Sequence, residues 1–325
     1  MPHYEAPTLD DLMRRVMTDV FESGERLNPS KGETLDLHAC SLELTNPLAR
    51  LSRSATRGHV FSPLGELCWY LSGSDDLGFI QHYLPHYGDY AEDDGSVMGA
   101  YGPRLVNFDG VNQIDYVIAQ LSRKPASRRA VIQLFDHSDV QGEYRDVPCT
   151  CTMQFLVRHG RLQMVVNMRS NDIYKGLPHD VFSFTMLQEL VARSLGLELG
   201  SYVHFVGSLH LYTSDEANVT RFLDEGWLSS EAIMPPMPPG DPWADVRALL
   251  RAEYQIRTAA EEVTYPGSPY WDDLARLLEA FEKRHQSDAL QGLRSKFAYD
   301  SFWIYLRNRL DRLEVQQQPD DLSES

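Results

Sequence analysis

Apolar residues at Leu9, Leu12, Met13, Val16 and Val20 repeat at the three-and-four spacing of one helix face, and Thr8 followed by Asp11 marks where that helix begins. A glycine, proline and serine-rich loop separates it from a strand-like stretch over residues 35–44. Ser62-Pro63 reads as the N-cap and first turn of a second helix, running through LGELCWYL to Gly73. Residues 74–110 read as a polar, aromatic loop region. The pattern then predicts a helix near 114–121, a strand over 130–135, and a hairpin of 151–157 and 162–168 turning at 158–161. A third strong helix is expected over 181–195, with Phe184, Leu187, Val191 and Leu195 on one face and Gly196 ending it. After the proline-rich run MPPMPPGDP at 234–242 the pattern is helical, at 243–256, 272–284 and 297–313. No internal repeat is visible. This predicts an α/β (α+β) body over 1–228, a connector over 229–242, a helical extension over 243–313 and a polar tail over 314–325.

Composition narrows the function classes. The chain has 325 residues, 42% of them hydrophobic, so a packed core is expected and disorder is not. Its 30 basic against 47 acidic residues leave a formal charge of −17, which argues against a nucleic-acid groove but not against a small pocket for one phosphate. No apolar run reaches the roughly 20 residues of a spanning helix. The N-terminal stretch lacks the pattern of a secretory signal, and four cysteines are too few for a disulfide scaffold. A cytoplasmic protein that touches neither membrane nor nucleic acid is the expectation.

Several residues carry candidate chemistry. Phosphate-loop, HExxH and paired CxxC signatures are absent. The Cys149-Thr150-Cys151 spacing lacks a matching ligand pair nearby, so no metal site is expected. Cys149 follows Pro148 at a loop-to-strand junction, where a thiol can be rigid yet accessible; nearby arginines would favour its thiolate. Taken alone, an inert buried cysteine is the plainer reading. Glu66 is the one ionisable group in LGELCWYL, where apolar neighbours would raise its pKa, though a surface-pointing carboxylate reads equally well. Arg128, Arg129, Arg169 and Ser170 combine guanidinium forks with a hydroxyl, which suits a phosphate dianion.

Together these pieces resemble the thymidylate synthase family. The residues that carry the resemblance are Glu66-Leu-Cys-Trp69 with Gly73, Gly99-Ala-Tyr101-Gly102, Ser127-Arg128-Arg129, Pro148-Cys149 with Gln154-Phe155, Arg169-Ser170-Asn-Asp172, Gly176-Leu-Pro178 and His210-Leu-Tyr212. The resemblance implies a mixed sheet with packed helices, a homodimer, and 5,10-methylenetetrahydrofolate as co-substrate without a metal. It implies that Cys149 adds to C6 of a pyrimidine nucleotide. Arg169 and Ser170, with Arg128 and Arg129 from the partner subunit, would clamp the 5′-phosphate, aided by Arg26 or Lys31. His210 and Tyr212 would hold the sugar 3′-hydroxyl. Glu66 and Tyr101 would handle protons, and Asp172, Gly176, Tyr87 and Tyr90 would border the folate.

Departures from the family pattern refine this expectation. Asp180 stands where thymidylate synthases have an asparagine, and an ionised aspartate only accepts hydrogen bonds. It suits the N4 amine and a protonated N3 of cytosine, as in deoxycytidylate hydroxymethylases, and mispairing costs on the order of 1–3 kcal/mol. Tyr87 and Tyr90 stand at tryptophan positions, which leaves room for water at the methylene carbon. Thr150 replaces the histidine that usually follows the nucleophile. The sequence therefore predicts 5-hydroxymethylation of a cytosine nucleotide, dCMP or CMP. The alternatives are a thymidylate synthase methylating dUMP, and an inactive nucleotide- or RNA-binding homologue.

Overall fold

A short strand, His3–Ala6 (β1), precedes the first helix, Leu9–Ser23 (α1), in which the Thr8 hydroxyl accepts the Asp11 amide at 3.1 Å and Leu9, Leu12, Met13, Val16 and Val20 are all buried. This is a computed structural model, and it describes residues 1–29, 31–227 and 233–317, with side chains to 314. Strands Glu25–Leu27 (β2) and Thr34–Leu44 (β3) follow, then helices Phe61–Leu71 (α2), Leu77–Tyr83 (α3), Tyr101–Val106 (α4) and Gln113–Arg123 (α5). The next elements are Val131–Gln133 (β4), Thr150–Arg158 (β5), Arg161–Asp172 (β6), Gly176–Ser194 (α6), Glu198–Tyr212 (β7) and Glu216–Asp224 (α7). Four helices end the described chain: Trp243–Arg257 (α8), Pro269–Glu282 (α9), Ser287–Arg294 (α10) and Trp303–Gln317 (α11). None of the helices is long and apolar enough to cross a membrane.

The described strands form one mixed sheet in the order β1-β3-β7-β6-β5-β4, with β2 added along β3. β6 and β7 run parallel because α6 carries the chain back across the sheet, whereas β5 and β6 are joined by a hairpin. His159 and Gly160 both take positive φ at that turn, as the right-handed strand twist requires of a two-residue loop. On β6 the alternation is regular: Leu162, Met164, Val166 and Met168 are buried under α6, while Arg161, Asn167 and Arg169 face outward.

Helix α6 departs from the sequence expectation in start and burial. It begins at Gly176, five residues early, because Pro178 falls in the first turn, where its missing N–H would be unpaired in any case. It is buried nearly all round, since β6 and β7 lie on one side and α2 and α5 pack elsewhere on it. Two of its polar interior side chains are anchored: Gln188 donates to the Leu162 carbonyl at 2.9 Å, and Glu189 pairs with the fully buried Arg50 at 2.6 Å. Helix α2 also differs. It is entered from Val60 without a side-chain cap, and Ser62 lies inside the first turn with its hydroxyl turned toward His179. Gly65 of α2 permits close packing with α3, since a Cβ there would come within 2.2 Å of the Tyr83 ring. The region expected as loop contains α3, α4 and a 3-10 turn at Pro85–Tyr90, too short to show a periodic stripe.

The C-terminal helices share the body's core. Leu274, Leu277, Leu278 and Leu306 belong to the same apolar cluster as Leu64, Cys68 and Trp69 of α2. Polar contacts reinforce the seam: Tyr83 donates to Glu253 at 2.9 Å, and Tyr305 donates to the Ser52 carbonyl at 3.1 Å. Of the proline-rich connector, Met234 and Met237 are buried, and the Met237 amide donates to Glu189 at 2.8 Å. The connector's start at 229–232 and the tail beyond 317 lie outside the described residues.

Candidate active site

Cys149 sits immediately before β5, half-buried, at a point where the strand pairing is irregular. Thr150 pairs with Met168 and Thr152 with Asn167, so Cys151 is an extra residue, a bulge in β5 two positions beyond Cys149. Arg169 fixes the approach to this corner. Its amide donates to the Cys149 carbonyl at 2.9 Å, while its guanidinium donates to Pro148 at 3.1 Å and Val147 at 2.9 Å. The expectation that arginines would favour the thiolate is only half met. Burial is the larger influence and pushes the Cys149 thiol up to about 11, with Arg169 opposing it and Asp146 and Asp180 reinforcing it.

Glu66 points inward, not to the surface. It is 8% exposed; one carboxyl oxygen accepts from Tyr70 at 2.8 Å and the other lies 2.7 Å from His179 Nδ1. The far side of the His179 ring is 3.4 Å from the Ser62 hydroxyl. His179 and Tyr70 were not singled out from the sequence, and Ser62 was read only as a helix cap; for His179 the one available signal was a polar residue directly beside Asp180. Asp180 itself accepts from Asn171 Nδ2 at 2.6 Å. Burial, followed by the neighbouring Glu66, holds its carboxyl well above the usual range, with Asn171 pulling the other way. Gly176 makes room for that bond, since a Cβ there would stand 3.1 Å from Asn171 Nδ2 and 3.7 Å from Asp180.

Tyr101 reaches from α4 to Thr150, the residue after Cys149. Its hydroxyl donates to Thr150 Oγ1 and accepts the Thr150 amide, both at 3.0 Å, and its ring stacks on Phe184. The Thr150 substitution therefore ties Tyr101 to the residue after Cys149. Tyr87 packs edge-on against Trp69 at 5.4 Å and against Tyr90 at 5.5 Å, forming an aromatic wall whose outer member, Tyr90, is exposed. Lys31 lies over the Tyr90 ring at 4.3 Å and pairs with Asp146 at 3.4 Å, whereas Arg26 pairs with Glu33 and Glu216. Of these two cations, Lys31 is the one whose charge acts on Cys149.

The end of β6 supplies the remaining groups. Ser170 Oγ lies 3.3 Å from His210 Nδ1, and the His210 ring meets Tyr212 edge-on at 5.1 Å. Asp172 accepts the Tyr174 and Lys175 amides at 2.8 and 3.0 Å, yet burial still raises its pKa. The buried Arg57 staples the same turn by donating to the Tyr174 and Lys175 carbonyls. Arg128 and Arg129 are not brought into this cluster. Both are exposed, and among the described residues their guanidiniums make no hydrogen bond or ion pair within the chain. Among the described residues His3, Glu5 and Glu43 come within ligating distance of one another, but they lie on the edge strand β1 and on β3, not around Cys149.

The sequence profile of the thymidylate synthase family matches residues 10–229. Among curated proteins, a thymidylate synthase of Bacillus licheniformis is 36% identical over 156 residues, covering 46% of this chain and 56% of that protein. Thymidylate synthase 1 of Bacillus subtilis strain 168 is 33% identical over 153 residues, covering 45% of this chain and 54% of its own. The aligned stretch thus spans little more than half the length of these relatives, and α8–α11 fall outside the family match. Matched over more than half its length by the family profile, the chain belongs to the thymidylate synthase family.

Proposed function

We propose that this protein transfers a one-carbon unit to C5 of a cytosine nucleotide, dCMP or CMP, and that water completes a hydroxymethyl group. The observation that carries the reading is Asp180: a carboxyl of raised pKa beside Cys149 and Glu66, one oxygen of which accepts from Asn171. Cytosine N3 can take the Asp180 proton while its N4 amine donates to the resulting carboxylate, giving two charge-assisted hydrogen bonds. The Asn171 amide favours the anion so formed. Uracil already carries its N3 proton and meets the same carboxyl with neutral bonds only.

Cys149 Sγ adds to C6 of the ring, and protonation at N3 draws electrons from C6 and eases that addition. The thiol, whose pKa lies near 11 before the nucleotide binds, gives up its own proton as it adds, and the neighbouring Asp146 carboxylate, whose pKa burial raises, can take it. Electron density arriving at C5 makes it the nucleophile toward the one-carbon unit. Methylenetetrahydrofolate supplies that unit at the oxidation level of formaldehyde, so a hydroxymethyl product needs no reductant. The aromatic wall of Tyr87 and Tyr90 and the Asp172 carboxyl fit a flat, hydrogen-bonding pterin. Glu66, bonded to Tyr70 and His179, can hold or release a proton beside the ring. Loss of the C5 proton expels tetrahydrofolate, whose freed nitrogen carries that proton, and water adds to the methylene left on C5. Cys149 Sγ then leaves and takes back its proton, N3 returns its own to Asp180, and the aromatic base is restored.

Lys31, Arg169 and Ser170 take the 5′-phosphate and His210 with Tyr212 the sugar hydroxyl in this reading. Arg128 and Arg129, exposed and without side-chain partners among the described residues, suit a phosphate in a second copy. The half-exposed Val165, Val203 and Phe205 on neighbouring strands supply an apolar sheet face for such a homodimer. A product assay with methylenetetrahydrofolate and equimolar CMP, dCMP and dUMP tests the proposal. A cytosine nucleotide heavier by CH2O without dihydrofolate is expected. A methylated uracil with dihydrofolate overturns it in favour of thymidylate synthesis, and turnover untouched by Cys149→Ser would remove the catalytic reading altogether.

A further inference from the structure

Asp146 lies just before the nucleophile, and the sequence did not single it out. Lys31, on the loop between β2 and β3, donates to its Oδ1 at 3.4 Å, and the same ammonium stands 4.3 Å over the Tyr90 ring. That one contact joins segments 115 residues apart. Gly99 keeps the place of the other oxygen open, since a Cβ there would come within 2.7 Å of Asp146 Oδ2. The Asp146 side chain is 19% exposed and that of Lys31 46%, so the carboxylate is enclosed and the ammonium is not. The Asp146 charge acts on the Cys149 thiol and on the Tyr87 and Tyr90 hydroxyls. This carboxylate therefore sits between the nucleophile and the aromatic wall.

Burial raises the Asp146 pKa, and two cations pull it back, Lys31 first and Arg169 second. They are the same two cations read above as taking the 5′-phosphate, but they differ in freedom. The Arg169 guanidinium is fixed by the Pro148 and Val147 carbonyls, whereas Lys31 ends a flexible four-carbon stem. A phosphate dianion carries more charge than one carboxylate and draws an ammonium more strongly at the same distance. Once Lys31 turns to the phosphate, Asp146 loses the cation that stabilises its anion and becomes the stronger base. A carboxylate still paired with Lys31 is a poor acceptor for the proton of a thiol whose pKa lies near 11.

We infer that Lys31 gates Asp146: the nucleotide's 5′-phosphate draws Lys31 away, and Asp146 then takes the Cys149 proton. The inference rests on the nucleotide reading above and makes the phosphate a trigger as well as a handle. In the gated step the S–H bond breaks as S–C6 forms, the proton passes to Asp146, and the C5=C6 electron pair moves onto C5. In D2O without co-substrate, C5 takes up a deuteron. Reversal releases the original C5 proton, breaks S–C6 and returns a proton from Asp146 to sulfur, so C5 exchange read by proton NMR reports the step. With the natural protein, dCMP or CMP should exchange about a hundredfold or more faster than its nucleoside at saturation, and inorganic phosphate should speed the nucleoside at least tenfold. Lys31→Met should slow the nucleotide, yet speed the nucleoside at least threefold and end its response to phosphate. Lys31→Arg should keep the natural pattern. A lysine that merely binds phosphate leaves the nucleoside rate in Lys31→Met unchanged, and that result overturns the gate. The near-isosteric Asp146→Asn should slow nucleotide exchange about a hundredfold, with no gain when Lys31→Met is added. Exchange within threefold of natural in Asp146→Asn overturns the role of Asp146. If only uracil exchanges, the cytosine reading falls by itself, and the same comparison with dUMP and deoxyuridine decides the gate. Exchange with neither base overturns it.

Discussion

Asp180 and His179 are adjacent in sequence and face different partners. Asp180 is held by Asn171 at 2.6 Å and His179 meets Glu66 at 2.7 Å, so the first turns of α6 carry both the group proposed to read the base and the partner of the group proposed to handle protons. Asp180→Asn keeps the shape but removes the shared proton. It should lower kcat/KM for the cytosine nucleotide at least tenfold and bring dUMP binding up, as competition titrations of the two nucleotides would show. His179 is a positioning residue in this account. His179→Phe leaves one Glu66 oxygen unpaired, so kcat should fall tenfold or more, KM for the nucleotide should stay within about twofold, and the pH profile of kcat should shift. An unshifted profile with proportionate loss of folded protein would mean a merely structural role. Glu66 and Asp180 were legible in the sequence, one as a lone charge in an apolar run and the other as a departure from a family pattern. His179 was not, because its meaning depends on a carboxylate 113 residues away.

At the scale of elements, local chemistry and burial decided different things. Helix α1 follows its cap and stripe closely, because its apolar face meets the core along its length. Ser62 looked like a cap, yet it was drawn into the first turn of α2, where His179 across the interface is its partner. Helix α6 read as amphipathic although it is enclosed on most sides, since the Thr185 hydroxyl, the Gln188 Nε2 and the Glu189 carboxylate find partners inside the protein. The Arg50–Glu189 pair gives this enclosure a test. Both side chains are fully buried, and Glu189 also accepts from Arg193 and the Met237 amide. Glu189→Ala strands a buried guanidinium and should cost about 3–5 kcal/mol, read as a lower urea midpoint. A loss below about 1 kcal/mol would show that water or a rearranged connector reaches Arg50.

Across the whole molecule, stability in acid follows from groups buried without charge. His204 is fully buried, with Nδ1 2.6 Å from the Tyr202 hydroxyl and Nε2 without a partner, and its pKa is lowered to about 3. The unfolded chain takes up that proton below about pH 6.5 while the folded chain does not, so stability is lost as pH falls from there toward 3. By pH 5 this one residue should remove about 2 kcal/mol. The raised carboxyls Asp10 and Asp146 act with the opposite sign, favouring the fold at low pH. Urea midpoints at pH 7 and pH 5 for the natural protein and His204→Phe separate the two; the variant should show the shallower decline.

The sequence by itself determined the mixed α/β class, the family resemblance that singles out Cys149, and the departure at Asp180, because these depend on residue type and on order along the chain. It also marked 243–313 as helical. Only the tertiary structure decided that these helices share the core of α2, because their apolar faces say that something is covered but not what. It likewise decided that Cys149 is held as a thiol before nucleotide binds. Burial sums over all neighbours in space, and no local pattern reports that sum.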